Sequence, residues 1–120
     1  MVTREWAIQF AQEWIAAWNA HDLERVLSLY TMNFEMSSPS IISLTNEASG
    51  VLKGQEQVAA YWRAALERMP DLHFDLQTVL LGVDSICLYY TSASGRLSAE
   101  VLFLNEEGKI DKGIAHHFQP

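Results

Sequence analysis

Residues 72–118 read LHFDLQTVLLGVDSICLYYTSASGRLSAEVLFLNEEGKIDKGIAHHF. Leu72, Phe74 and Leu76 alternate with His73, Asp75 and Gln77, the period of a half-buried strand. The strand runs on through Thr78 to Leu81 and turns at Gly82-Val83-Asp84. Ser85 to Ser92 gives a second strand, and Ser94-Gly95 a hairpin turn. Leu97 to Leu104 gives a third strand. Glu106-Glu107-Gly108-Lys109 turns the chain again, and Ile110 to Phe118 is the fourth. Neighbours joined by such short turns form an antiparallel meander.

The residues before this meander have a different period. Trp6, Phe10, Trp14 and Trp18 recur every fourth residue, with Ala7, Ala11 and Ile15 beside them. At 3.6 residues per turn they make one apolar stripe on a helix from about Thr3 to Ala20, with Thr3 as its N-cap. Asp22 caps a second, shorter helix carrying Leu23, Val26, Leu27 and Tyr30. Phe34 to Ser37 reads as a short strand that Pro39 ends. Residues 40–54 show no clear period and read as a long loop, which in a small domain often covers a site. Gln55 to Met69 is a third helix, with Val58, Trp62, Ala65, Leu66 and Met69 on its apolar face and Pro70 stopping it. Helices first and a meander after them predict an α+β fold, with helices packed on one face of a curved sheet.

Composition narrows the function classes. The 120 residues fit one domain spanning the chain, and 49% hydrophobic residues suffice for a core. The formal charge of -7, with eight scattered Lys and Arg, disfavours nucleic acid and anionic membranes as partners. No apolar run reaches the roughly 18 residues that span a bilayer, and the first residues lack the apolar core of a signal peptide, so a cytoplasmic location is expected. The single cysteine, Cys87, reads as an inert core residue. No metal-ligand set, phosphate-binding glycine loop or nucleophile elbow is present, and no cofactor is expected. On Leu97 to Leu104 both strand faces are largely apolar. One should meet the helices; the other predicts a homodimer through the outer sheet face.

Several segments together carry a resemblance. Asp22-Leu23-Glu24-Arg25-Val26-Leu27-Ser28-Leu29-Tyr30 precedes a strand ending at Pro39, and Leu52-Lys53-Gly54-Gln55-Glu56-Gln57-Val58 leads into a helix with Tyr61-Trp62. Ala99-Glu100-Val101-Leu102-Phe103 precedes Glu107-Gly108-Lys109-Ile110 and Ala115-His116-His117. In order and spacing over nearly the whole chain this resembles the nuclear-transport-factor-2-like superfamily, in its SnoaL-like branch. The resemblance implies a cone-shaped, cystatin-like α+β barrel: three N-terminal helices packed on a strongly bent antiparallel sheet, with a pocket inside. The superfamily includes ketosteroid isomerase, polyketide cyclases, an epoxide hydrolase, dehydratases and non-enzymatic modules, so function must come from the site.

Ketosteroid isomerase uses a carboxylate base on its first strand, and a tyrosine with a protonated aspartic acid as an oxyanion hole. What the resemblance implies here is Ser38 at the base position, Trp14 at the tyrosine and Glu100 at the acid. Glu100 lies mid-strand among apolar residues, where an ionised carboxylate is costly, so it should be neutral, hydrogen-bonded or both. It is the candidate general acid or ligand anchor; alternatively it only holds the fold. The Ser94-Gly95 turn sets Tyr89 opposite Glu100 as a candidate partner, although a one-residue slip changes the face. His116 and His117 are adjacent, so they point to opposite faces; the resemblance turns His117 inward as a candidate acid or base. His73 is expected outside. The resemblance places Trp14, Trp18, Tyr30, Phe34 and Trp62 on the walls of the cone, with Ser38 at its empty base position and Leu102 on the strand face of Glu100. Three readings follow: an isomerase-, cyclase- or hydratase-type enzyme whose pocket takes a small apolar molecule, a non-catalytic protein that binds one, or a dimerisation module whose aromatics simply fill the core.

Overall fold

A computed structural model describes residues 2–119 of the chain. The elements are α1 (Arg4–Asn19), α2 (Leu23–Leu27), β1 (Tyr30–Ser37), α3 (Pro39–Thr45), β2 (Val51–Lys53), α4 (Gln55–Arg68), β3 (Asp75–Leu81), β4 (Ser85–Thr91), β5 (Leu97–Leu104) and β6 (Ile110–His117). Helices cover one face of a six-stranded curled sheet in the order β2-β1-β6-β5-β4-β3. Register irregularities in β1, β3 and at the end of β5 interrupt the ladder, and such bulges sharpen local bend and twist. Among the described residues no helix is long and apolar enough to cross a membrane.

Helix ends follow the side chains read from the sequence. The Thr3 hydroxyl accepts from the Trp6 N–H at 3.2 Å, and Asp22 accepts from the Arg25 N–H at 3.1 Å. The α1 stripe becomes core: Ala7, Phe10, Ala11, Trp14 and Trp18 are buried against the sheet and α4.

Four expectations are corrected. The sheet is mixed: β1 runs parallel to β6, while the other four strand pairs are antiparallel. A tight turn forces antiparallel pairing only between strands it joins, and β1 meets β6 without one. Residues 40–54 are not one long loop, because α3 and β2 lie there. Pro39 ends β1 and then begins α3, where its fixed φ and missing N–H suit the first turn. With Ile41 as its one buried residue, α3 leaves no period to read. The second helix stops at Leu27, and Tyr30 opens an eight-residue β1. Cys87 pairs across from Val101 and is half-buried on the outer face.

The β4–β5 hairpin settles which tyrosine faces inward. Gly95 holds φ +81° in a three-residue loop closed by the Ser92 N–H on the Arg96 carbonyl at 2.9 Å. An odd loop shifts the register by one, so Leu88 stands opposite Glu100, Tyr89 opposite Ala99 and Tyr90 opposite Ser98. The expected Tyr89–Glu100 pairing is therefore wrong, and Tyr89 is on the outer face.

One side chain fastens the sheet edge to α1. Asn19, the last residue of α1, donates to the Phe74 carbonyl at 2.9 Å and accepts from the Phe74 N–H at 2.7 Å. This two-point clamp lays the Phe74 ring against Trp14, 5.8 Å between centroids and 16° from parallel. Asn19→Ala leaves both backbone groups without their partner, and we expect a loss of about 2 kcal/mol in urea unfolding. A loss below about 0.5 kcal/mol would show that the clamp is replaceable by water.

Candidate active site

The concave side of the sheet, α1 and α4 enclose a cavity of about 480 Å³. This is the size range of small-molecule sites. Its floor is buried: Trp14, Tyr30, Met36, Tyr90, Ser98 and Glu100 each keep 6% or less of their surface exposed. Its mouth lies between the C-terminal end of α4 with the following segment (Arg68, Met69, Asp71, His73) and the β4–β5 hairpin (Ala93, Ser94, Arg96).

Strand parity carries Glu100 into the floor. Ser98, Glu100 and Leu102 face the helices on β5, while Leu97, Ala99, Val101 and Phe103 face out. The Glu100 Oε1 accepts from the Tyr90 hydroxyl at 3.2 Å, and Oε2 has no partner among the described residues. Desolvation pushes the carboxyl from its ordinary 4.5 up to about 7, against the opposing effect of the Tyr90 hydrogen bond. Desolvation also raises Tyr90, and the nearby carboxylate adds to it. Near neutral pH this acid can hold a proton and donate from Oε2, or exchange it.

Two further donors belong to the same walls. The Trp18 indole N–H is buried and unpartnered among the described residues. An indole N–H can only donate, so any group that satisfies it must accept. Trp14 spends its own N–H on the Tyr30 hydroxyl at 2.9 Å, which leaves the Tyr30 O–H free to donate in turn. Burial raises Tyr30 strongly, with the Glu100 charge adding to the effect, so it stays protonated. The helix position expected to replace a tyrosine thus supports a tyrosine on β1.

The remaining candidates separate into lining and backing. Trp14, Trp18, Tyr30, Ser38, Trp62, Glu100 and His117 line the cavity. Phe34 does not; it packs behind Tyr30 and Trp62, 4.4 and 5.7 Å from their ring centroids. Leu102 also lies behind the wall, fully buried across from Gly113. Both are on inward faces, but too deep in the layer to reach the open volume. Ser38 is buried, and its hydroxyl accepts from the Ser40 N–H at 3.2 Å as the cap of α3. His117 is joined to Ser98, Nδ1 to Oγ 2.7 Å, and not to Glu100. Burial first, then the Arg96 and His116 charges, lower its pKa, so it is neutral at neutral pH. His73 is exposed at the mouth and 3.3 Å from Asp75. Among the described residues no three His, Cys, Asp or Glu side chains are grouped to hold a metal ion.

Tyr90, Tyr61, Met36, Phe74, Ser98 and Arg96 also line the cavity and were not singled out from the sequence. Ser98 shares the parity of Glu100 on β5, which was a readable signal, and Arg96 stands one residue before that strand. Tyr90 required the loop length to be known. Tyr61 lies beside Ser38 and Ser40, which the apparent loop concealed.

The buried acid gives a pH signature. Between about pH 4.5 and 7 the folded chain keeps the Glu100 proton and the unfolded chain releases it. The acid's contribution is therefore present below 4.5 and lost as pH rises through about 7, a change on the order of 3 kcal/mol. Glu100→Gln removes this titration. In urea unfolding we expect the variant to gain on wild type by up to that amount between pH 5 and 8; a constant difference would place the Glu100 carboxyl in its ordinary range.

Comparison with known proteins agrees with this architecture. The SnoaL-like domain family matches residues 11–109. A SnoaL-like protein of unknown function from Burkholderia thailandensis is 49% identical, covers 98% of both chains and superposes with a TM-score of 0.94. A proposed isomerase of the SnoaL-like family from Agrobacterium tumefaciens is 24% identical over 94% of this chain and 97% of its own, TM-score 0.72. The epoxide hydrolase/cyclase-like enzyme SalBIII, of pyran ring formation in the polyether salinomycin, is 15% identical over 99% of this chain and 95% of its own, TM-score 0.78. At those identities the last two show the fold alone. No curated protein matches the chain significantly. Family match and close structural relative together establish that this chain belongs to the SnoaL-like domain family.

Proposed function

We propose that the cavity binds a small, largely apolar molecule by one acceptor oxygen, and that neutral Glu100 acts on that oxygen as general acid in an isomerase-, cyclase- or hydratase-type reaction in the cytoplasm. The observation that carries this reading is the free, buried Glu100 Oε2 on an aromatic floor that also holds the unpartnered Trp18 N–H. Donors that line one cavity suit a carbonyl, ether or epoxide oxygen that gains negative charge as it reacts. No carboxylate stands at the Ser38 position, so abstraction of a proton by that route lacks its base. Acid-assisted ring closure needs no carboxylate there: a substrate hydroxyl forms the new C–O bond as the epoxide C–O bond breaks, Glu100 gives its proton to the departing oxygen, and the proton that the hydroxyl releases returns to Glu100 through water. The epoxide hydrolase/cyclase-like activity named for the structural neighbour SalBIII is in keeping with that class.

A carrier that holds its ligand unchanged is the second reading, and Ser38 favours it, since its hydroxyl is engaged in capping α3. Glu100→Gln separates the two. The amide keeps a donor but transfers no proton, so we expect ligand affinity within a few-fold of wild type and turnover lower by about 10²–10⁴. Unchanged turnover would remove Glu100 from the chemistry. A ligand that co-purifies and is released unaltered, seen by native mass spectrometry, would favour the carrier.

The reading includes a homodimer through the outer sheet face. Leu80, Cys87, Tyr89, Val101, Phe103 and Ile114 lie on that face, with Leu80 58% and Tyr89 36% exposed. Sedimentation should find a dimer for wild type and a monomer for Val101→Glu; a monomeric wild type would end the dimer proposal.

A further inference from the structure

The mouth of the cavity has a charge character that the floor lacks. The chain carries fifteen acidic and eight Lys and Arg residues, so its field repels anions. Four of the eight cations are engaged elsewhere. Arg25 pairs with Glu13, Lys53 and Lys112 share Glu35, and Lys109 donates to the Ser28 carbonyl. Among the described residues no carboxylate lies within ion-pair distance of Arg68 or Arg96. Both line the aromatic cavity, Arg96 half-buried and Arg68 exposed.

The Arg96 side chain is oriented. It stands one residue before β5 and lines the cavity, and its Nε donates to the Phe118 carbonyl at 3.0 Å. That bond fixes the guanidinium plane and leaves its two terminal nitrogens to donate. Two parallel N–H groups in one plane match the two oxygens of a carboxylate. The charge is felt inside the cavity, since it helps hold the neighbouring His117 imidazole neutral. The exposed Asp71 shares the mouth but is not within ion-pair distance of either guanidinium.

We propose that Arg96, assisted by Arg68, selects apolar molecules that carry a carboxylate at the end opposite the oxygen bound by Glu100. This rests on the pocket reading above and sharpens it to a ligand class: amphipathic oxo- or epoxy-acids. Arg96, one residue before β5, is four positions from Glu100, about 13 Å between Cα atoms at the usual extended rise, so the apolar body is roughly 10 Å long. The acid end stays at the mouth in partial contact with water, and the reacting oxygen is carried to the floor.

The test uses the full chain, with tryptophan fluorescence and thermal shift as readouts. The probes are 9-oxodecanoate, a bicyclic keto acid, and the methyl ester of each. For wild type we expect each acid to bind about tenfold or more tighter than its ester, with the gap narrowing as salt is raised. Arg96→Gln should bring acid down to ester and leave the ester unchanged. Arg96→Lys, which keeps the charge without the fork, should retain part of the preference and serves if Arg96→Gln fails to fold. Esters that bind as well as acids to wild type, or a preference that survives in Arg96→Gln, would overturn the carboxylate assignment and leave the pocket standing. If neither acids nor esters bind, the pocket reading falls with it.

Discussion

A carboxyl group withdrawn from water into a ring of aromatic side chains has few ways to exist. It can keep its proton, or it can be ionised at a cost of several kcal/mol unless a cation or several donors meet it. Glu100 sits under this constraint, with one tyrosine hydroxyl on Oε1 and no cation bonded to it among the described residues. It therefore takes the proton, which sets the polarity of the whole floor. The groups near it are donors, Tyr90 and Tyr30 supported by Trp14, and the unpartnered Trp18 N–H on the same cavity lining can only donate. A site with this bias offers hydrogen bonds to an oxygen that accepts, which is the basis of the reading proposed for it.

The rest of the fold can be read as what keeps this acid dry while leaving a way in. The α1 stripe supplies Trp14 and Trp18, and α4 supplies Tyr61 and Trp62 as the opposite wall. Asn19 ties Phe74 over the indole of Trp14 and so closes the edge between α1 and β3. Phe34 and Leu102 fill the layer behind, which makes the wall stiff rather than adhesive. The opening is left between the end of α4 and the β4–β5 hairpin, where Arg68 and Arg96 stand.

Much of this was legible in the sequence, for physical reasons. A fourfold spacing of aromatics has few structural outcomes other than a buried helix face, and alternation on β5 puts Glu100 and Leu102 on one side whichever side that is. The inward direction itself came from the family likeness and agrees with the buried pattern of β5. What escaped was set by features with no periodic signature. A hairpin loop of three residues instead of two exchanged Tyr89 for Tyr90. A seven-residue helix with one buried side chain passed for loop, and with it went the setting of Tyr61 beside Ser38. The parallel β1–β6 pairing joins distant parts of the chain, which local turn chemistry does not report. Depth within a layer, which separates Trp62 from Phe34, depends on packing that strand and helix parity do not encode.

Family membership fixes the scaffold and leaves the chemistry to the side chains, and here Glu100 is a buried acid while the Ser38 hydroxyl is engaged in capping a helix. Everything proposed for the site depends on Glu100 being a neutral acid near neutral pH. The direct measurement is a pH titration of the Glu100 side-chain carboxyl by carbon-13 NMR, assigned with Glu100→Gln. The account requires a midpoint near 7. A midpoint in the ordinary carboxylate range, near 4.5, would contradict it.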